Sequence, residues 1–130
     1  MINVVISSDS RINVDKTAIK ESVANVLSKH DVKKNVEVEV LIVGDRKMHQ
    51  LNKQYRGIDS TTDVLSFGLE DSSAKTGFVA FPDDTLRLGS VVISYPQALR
   101  DASIEGISLD EEIHFLVDHG TKHLLGIHHE

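Results

Sequence analysis

The sequence has no cysteine, which excludes disulfides and thiolate metal sites and leaves imidazole and oxygen as the available metal ligands. It also lacks any apolar run approaching the roughly 18 residues a membrane span needs. The opening Met1-Ile2-Asn3-Val4-Val5-Ile6 has neither the basic region nor the small-residue cleavage site of a secretory signal, so a strand and a cytoplasmic address with no membrane partner are expected. An excess of positive charge is missing as well. The formal net charge of −6 argues mildly against a nucleic-acid partner, unless the cations are gathered in one place. No linker composition interrupts the 130 residues, of which 40% are hydrophobic and 26% charged, so residues 1–130 are expected to form one domain with its own core.

What the chain does have is histidine, gathered at one end. Four of its seven histidines lie in the last twelve residues, His119-Gly120-Thr121-Lys122-His123-Leu124-Leu125-Gly126-Ile127-His128-His129-Glu130. Positions four apart on an α-helix share a face, so His119 and His123 project together. Gly126 is suited to the left-handed residue that stops a helix, and the reversed chain could bring His128 or His129 back to the pair. Three imidazoles and an open position make a catalytic zinc set, since a structural site normally closes with a fourth protein ligand. A tag would be a consecutive run of histidines, whereas these are interleaved with the leucines and glycines of a helix and its cap.

The rest of the chain supplies a scaffold. Residues 2–6 read as a strand; Ile19, Val23, Val26 and Leu27 recur at helical spacing after a possible Asp15 cap; Val36 to Val43 alternates as a strand that becomes more buried toward its end. Asp45 can cap a second helix, Arg46 to about Tyr55, with Met48, Leu51 and Tyr55 on one arc and Arg46, His49, Lys53 and Arg56 opposite. No acidic residue lies between Arg46 and Ile58, so this is a basic face on an acidic protein, although a solvated helix surface is the ordinary explanation of such a charge run. Asp63 to Phe67 and Leu86 to Ser94 read as strands; 70–77 has loop composition, Phe78 to Phe81 is a short apolar segment, and Pro82-Asp83-Asp84 is a turn. Pro96 opens a short helix through Ala102. The final helix starts at a capping box, Ser108 with Glu111, and buries Ile113, Leu116, Val117, Gly120 and Leu124. These elements predict an α+β (mixed α/β) domain: one mixed β-sheet packed with helices, and a metal-binding helix at the C-terminus.

The histidine and glycine spacing is that of metzincin zinc proteases, whose helix also carries a glutamate beside the first histidine as general base. Here that position is Gly120, which argues against peptide hydrolysis. The same segment resembles the signature His-Gly-x-Leu-His-Leu-x-Gly-Tyr-Asp-His of the YbeY family of metal-dependent endoribonucleases and ribosomal RNA maturation factors. Leu51 to Phe67, LNKQYRGIDSTTDVLSF, is similar to that family's second motif, and Leu88 to Ser94, LGSVVIS, to its third. Three motifs in order cover essentially the whole chain.

The resemblance implies that His119, His123 and His129 hold one zinc ion per chain, which activates water or binds a phosphate oxygen. It implies too that Arg56 is the functional arginine, its planar fork stabilising charge on the phosphoryl transition state. The basic face, with Arg46 and Lys53 as substrate-binding residues, could then guide single-stranded RNA. Ribosomal RNA or the small ribosomal subunit is the expected partner. The sequence departs from the family pattern at His128, Ile127, Lys122, Ser90, Thr61 and Gly68; His128 could also coordinate, and Ser90 bears on what supports the site. A non-catalytic RNA- or ribosome-binding module with a structural metal is the first alternative, and a zinc peptidase the second.

Overall fold

The computed structural model describes residues 2–8, 11–30, 35–68 and 86–126. The expected loop at 70–77, the apolar segment at 78–81, the turn at 82–84, and both His128 and His129 lie outside the described residues. Within them, β1 (Ile2–Ser8), α1 (Lys16–Lys29), β2 (Val36–Val43), α2 (Asp45–Arg56), β3 (Val64–Gly68), β4 (Leu86–Ser94), α3 (Tyr95–Glu105) and α4 (Leu109–Leu124) follow in order. One sheet of four strands runs β1-β2-β4-β3, with the first three parallel and β3 antiparallel to β4. The α+β expectation with a single mixed sheet holds.

Alternation along β2 divides the sheet into two faces. Val36, Val38, Val40 and Ile42 are buried, and their face joins Val4, Val91 and Ile93 to Ile19, Val23 and Leu27 of α1 and Ile113, Leu116 and Val117 of α4. This is the main core, because helices cover that face along its length and each large side chain fully removed from water stabilises the fold by about 1.5–3 kcal/mol. Among the described residues, the other face is covered only at one end. There Met48 of α2 meets Leu65 and Val92, with Leu41, Val43, Leu51 and Phe67 packed around them. Glu37 and Glu39, on the uncovered part, are half-buried and pair with Arg87 and with the Ser90 hydroxyl at 2.8 Å.

Local chemistry explains most boundaries. The Asp15 carboxylate accepts from the Ala18 amide to start α1, and Ser108 and Glu111 form the reciprocal capping box of α4, which holds the Glu111 carboxyl below its usual range. Asp45 does not cap α2. The cap residue is Gly44, with no side-chain bond; the Asp45 carboxylate instead accepts from the Ser94 hydroxyl and the Arg100 guanidinium, tying α2 to the start of α3. Nor does the Pro96 helix stop at Ala102: Ser94 caps it, and it runs to Glu105, where Gly106 turns it with φ 73°. Gly89 breaks the β2–β4 register, since Glu37 faces Arg87 while Val38 faces Gly89, leaving Leu88 as the extra residue of a bulge. A side chain there is impossible, as a Cβ would lie 2.1 Å from the Phe67 carbonyl oxygen.

Candidate functional site

The last turns of α4 carry the histidine pair. Their rings lie side by side, centroids 4.6 Å apart and planes inclined at 59°, with His119 half-buried and His123 exposed. Two imidazoles so spaced are within reach of one ion at the ordinary zinc–nitrogen distance of about 2.0–2.1 Å. The donor set therefore fits half of a zinc site. Gly126 has the left-handed φ of 79° expected of a helix stop, with its amide bonded to the His123 carbonyl at 2.9 Å.

Between the histidines, Gly120 touches the sheet. A Cβ on it would come within 2.6 Å of Val91 Cγ1 and 3.0 Å of Ser66 Oγ, and the Ser66 hydroxyl donates to the Gly120 carbonyl at 3.2 Å. The position that carries a general base in a zinc protease is here pressed against β3 and β4. A side chain there would have to displace Val91 or Ser66, so packing as well as residue type argues against peptide hydrolysis by that scheme.

On the other face, α2 runs along β3 in the same direction. Met48 lies under Leu65 near the start of the strand, and the Tyr55 ring stands 5.0 Å from that of Phe67, tilted by 55°, near its end. Hence the C-terminal turn of α2, with Tyr55 and Arg56, and the histidine-bearing half of α4 both arrive at the Ser66–Gly68 end of β3, from opposite faces of the sheet. Gly57, in the left-handed region at φ 70°, stops α2 directly after Arg56, and the buried Asn52 side chain pins the following loop by donating to the Ser60 carbonyl at 2.9 Å. Asn52 Oδ1 is buried without a partner among the described residues.

Arg46, Lys53 and Arg56 are all exposed, and among the described residues neither Arg46 nor Arg56 forms an ion pair. The basic face is less pure than its stretch of sequence suggests. Asp59, beyond the helix, folds back to bond His49 Nε2 at 2.6 Å, and this bond, with the nearby charge of Lys53, holds its carboxyl below the usual range. The arc assigned to Met48, Leu51 and Tyr55 also differs: Met48 and Asn52 are the buried residues of α2, and Tyr55 stays 53% exposed.

A second group of potential cation ligands was not apparent in the sequence. Asp63, Asp101 and Glu112, from the lead into β3, from α3 and from α4, each bring a carboxylate oxygen within 4.8 Å of the others. Glu112 is only 4% exposed. Burial pushes its carboxyl up to about 7, aided by a hydrogen bond with Glu105 and by the negative charges of Glu105, Asp101 and Asp63. Glu112 lies two turns from His119 along one side of α4. The available signal was the position of Glu112 beside Ile113 and one turn before Leu116, on the buried arc rather than the exposed one.

Comparison with known proteins identifies the family. The family described as Endoribonuclease YbeY matches residues 4–130. The chain belongs to the YbeY family. Relatives named Endoribonuclease YbeY include that of Roseiflexus castenholzii, 43% identical over 117 residues that make up 90% of this chain and 72% of the relative. That of Dehalococcoides mccartyi is 38% identical over 135 residues, covering 99% of this chain and 78% of the relative. In fold, the YbeY chain is similar to a Thermotoga maritima protein of known solution structure, with a TM-score of 0.57 and 23% identity over 100% of this chain and 75% of that one. No described helix of this YbeY chain is long and apolar enough to cross a membrane.

Proposed function

We propose that this chain is a metal-dependent endoribonuclease of ribosomal RNA maturation, in which His119, His123 and His129 hold one zinc ion and Arg56 binds the reacting phosphodiester. The family supports the nuclease class; the ion, the RNA and the residue roles are our reading. One observation carries it: an arginine without a carboxylate partner among the described residues and a histidine pair of ligand spacing come to the same end of β3, the outermost strand in the sheet order, on its two opposite faces. A zinc ion bound there would supply Lewis acidity toward a phosphodiester.

The protein's own part is positioning and charge. Gly57 ends α2 so that Arg56 stands at its rim, where a planar, permanently charged fork can take two oxygens of one phosphate and favour the more negative transition state. Lys53 and Arg46 continue that positive edge along α2 and attract the RNA backbone, with Asp59 moderating the field at His49 and Lys53. Gly120 lets α4 lie close on Val91 and Ser66, which sets the height of the histidines above the sheet. The chain 1–130 acts as one domain, and a cytoplasmic location suits the role.

Elemental analysis paired with cleavage of a structured RNA bearing single-stranded ends tests this reading, using wild type, His123→Ala and Arg56→Ala. The expected result is one equivalent of zinc in wild type, its loss in His123→Ala, and full metal content with about 10²–10³-fold slower cleavage in Arg56→Ala. Intact RNA with zinc-loaded, contamination-free wild type would instead favour a binding module whose metal secures the C-terminus.

A further inference from the structure

Tyr55 is at odds with its surroundings. It occupies the arc of α2 that faces the sheet, yet it leaves 53% of its surface in water, the greatest exposure of any tyrosine or phenylalanine on that face among the described residues. One side of the ring is backed by Phe67, centroid 5.0 Å away and tilted by 55°. The contact limits the ring's freedom and leaves the remainder open. Arg56 follows it directly, is exposed and forms no ion pair among the described residues, whereas Lys53, on the far side of the helix, lies near Asp59.

Resting on the nuclease reading above, we propose that Tyr55 is a stacking platform for one unpaired nucleobase of the RNA, positioned next to the phosphate that Arg56 holds. A helix-borne ring braced by a second aromatic loses little conformational freedom on binding, so most of the stacking energy appears as affinity. Every base has a π-face, so this subsite favours unstacked, single-stranded RNA without selecting a base; a base inside a duplex is already stacked and cannot reach it. The surrounding charge favours this occupant over an apolar protein segment. Arg56, directly after Tyr55, matches the phosphate beside the base, while an apolar partner would have to desolvate that cation.

The experiment uses the full chain loaded with zinc and short single-stranded oligoribonucleotides, some carrying one abasic position moved stepwise along the strand. Affinity, KM and kcat are measured for wild type and for Tyr55→Phe, Tyr55→Trp and Tyr55→Leu. The leucine variant keeps apolar cover on Phe67 but offers no π-face. For Tyr55→Leu we expect affinity to fall by about ten- to a hundredfold with KM rising and kcat within about twofold of wild type. The dependence on salt should be unchanged, because no phosphate contact is lost. Tyr55→Phe and Tyr55→Trp should bind as wild type does or more tightly. One abasic position should weaken wild type and have no effect on Tyr55→Leu. If wild type cleaves RNA and Tyr55→Leu keeps the wild-type affinity or the same abasic profile, the platform is refuted while the nuclease reading stands. If zinc-loaded wild type neither binds nor cleaves single-stranded RNA, both are refuted.

Discussion

The two faces of the sheet are built to different depths. On one, α1 and α4 enclose a continuous core that runs from Val4 and Leu27 to Val117, with α3 adding the fully buried Ala98. On the other, α2 rests on Leu65 and Val92 through Met48, with only half-buried neighbours around the contact. The deep face keeps the histidine helix at a fixed height; the thin face leaves the cations and Tyr55 of α2 at the surface. On the proposed reading, rigidity falls where the ligand geometry needs it, and exposure where the RNA would be met.

Removing packing from each face should show the difference most directly. Leu27→Ala is expected to cost about 2–5 kcal/mol in denaturant unfolding, while Leu51→Ala, half-buried beside α2, should cost no more than about 1–2 kcal/mol. Equal losses would show that α2 is as structural as α1.

The next largest effect is tied to pH. The Glu112 carboxyl keeps its proton to about pH 7 in the folded protein, against 4.5 for the free group. Below the lower value both states are protonated and nothing is lost; between the two, unfolding releases a proton, so stability falls as pH rises, by up to roughly 3 kcal/mol, and levels off above 7. Glu112→Gln should therefore raise the Tm at pH 8 and leave it unchanged near pH 4. A variant that is equally stabilised, or destabilised, at both values would show that the buried charge is not the cause.

Gly120→Ala comes third. The added methyl must displace Val91 or Ser66, at a cost of about 1–3 kcal/mol, and because it lifts α4 from the sheet, zinc affinity should fall along with stability. A drop in Tm with unchanged metal binding would separate helix height from ligand geometry. The smallest change is expected on the thin face. Asp59→Asn frees His49 and Lys53 from an exposed carboxylate, so RNA affinity at low salt should rise slightly and its salt dependence steepen, with no change in Tm. Weaker binding would mean that Asp59 organises the loop rather than moderating charge.

Local patterns foretold the elements well. The Ser108 capping box and the stripe Ile113, Leu116, Val117 and Gly120 stand as the sequence suggested, with Leu124 only half-buried, because each depends on neighbours within one or two turns; β2 instead keeps its period-2 burial through Val43 and does not become more buried toward its end, since Leu41 and Val43 lie on the less covered face. Asp45 was misassigned for the opposite reason: its carboxylate is claimed by Ser94 and Arg100, about fifty residues away, so local cap chemistry lost to a tertiary partner. Asn52 was passed over because a polar residue on a basic helix gives no sign that a later loop will close over it. Asp59 likewise lies outside the helix whose charge it alters.

By itself the sequence determined the metal-ligand candidates His119 and His123, since four residues of helix put two side chains on one face whatever surrounds them. It determined the helix stop at Gly126, because left-handed backbone is inexpensive only without a Cβ. Only the tertiary structure decided that α2 and α4 finish at the same end of β3, that Gly120 is pressed on Val91, and that two half-buried carboxylates and one buried one come together from separate elements. Those outcomes depend on which faces the sheet offers and in what direction each helix crosses it, and no spacing along the chain encodes a meeting of residues brought together from distant segments.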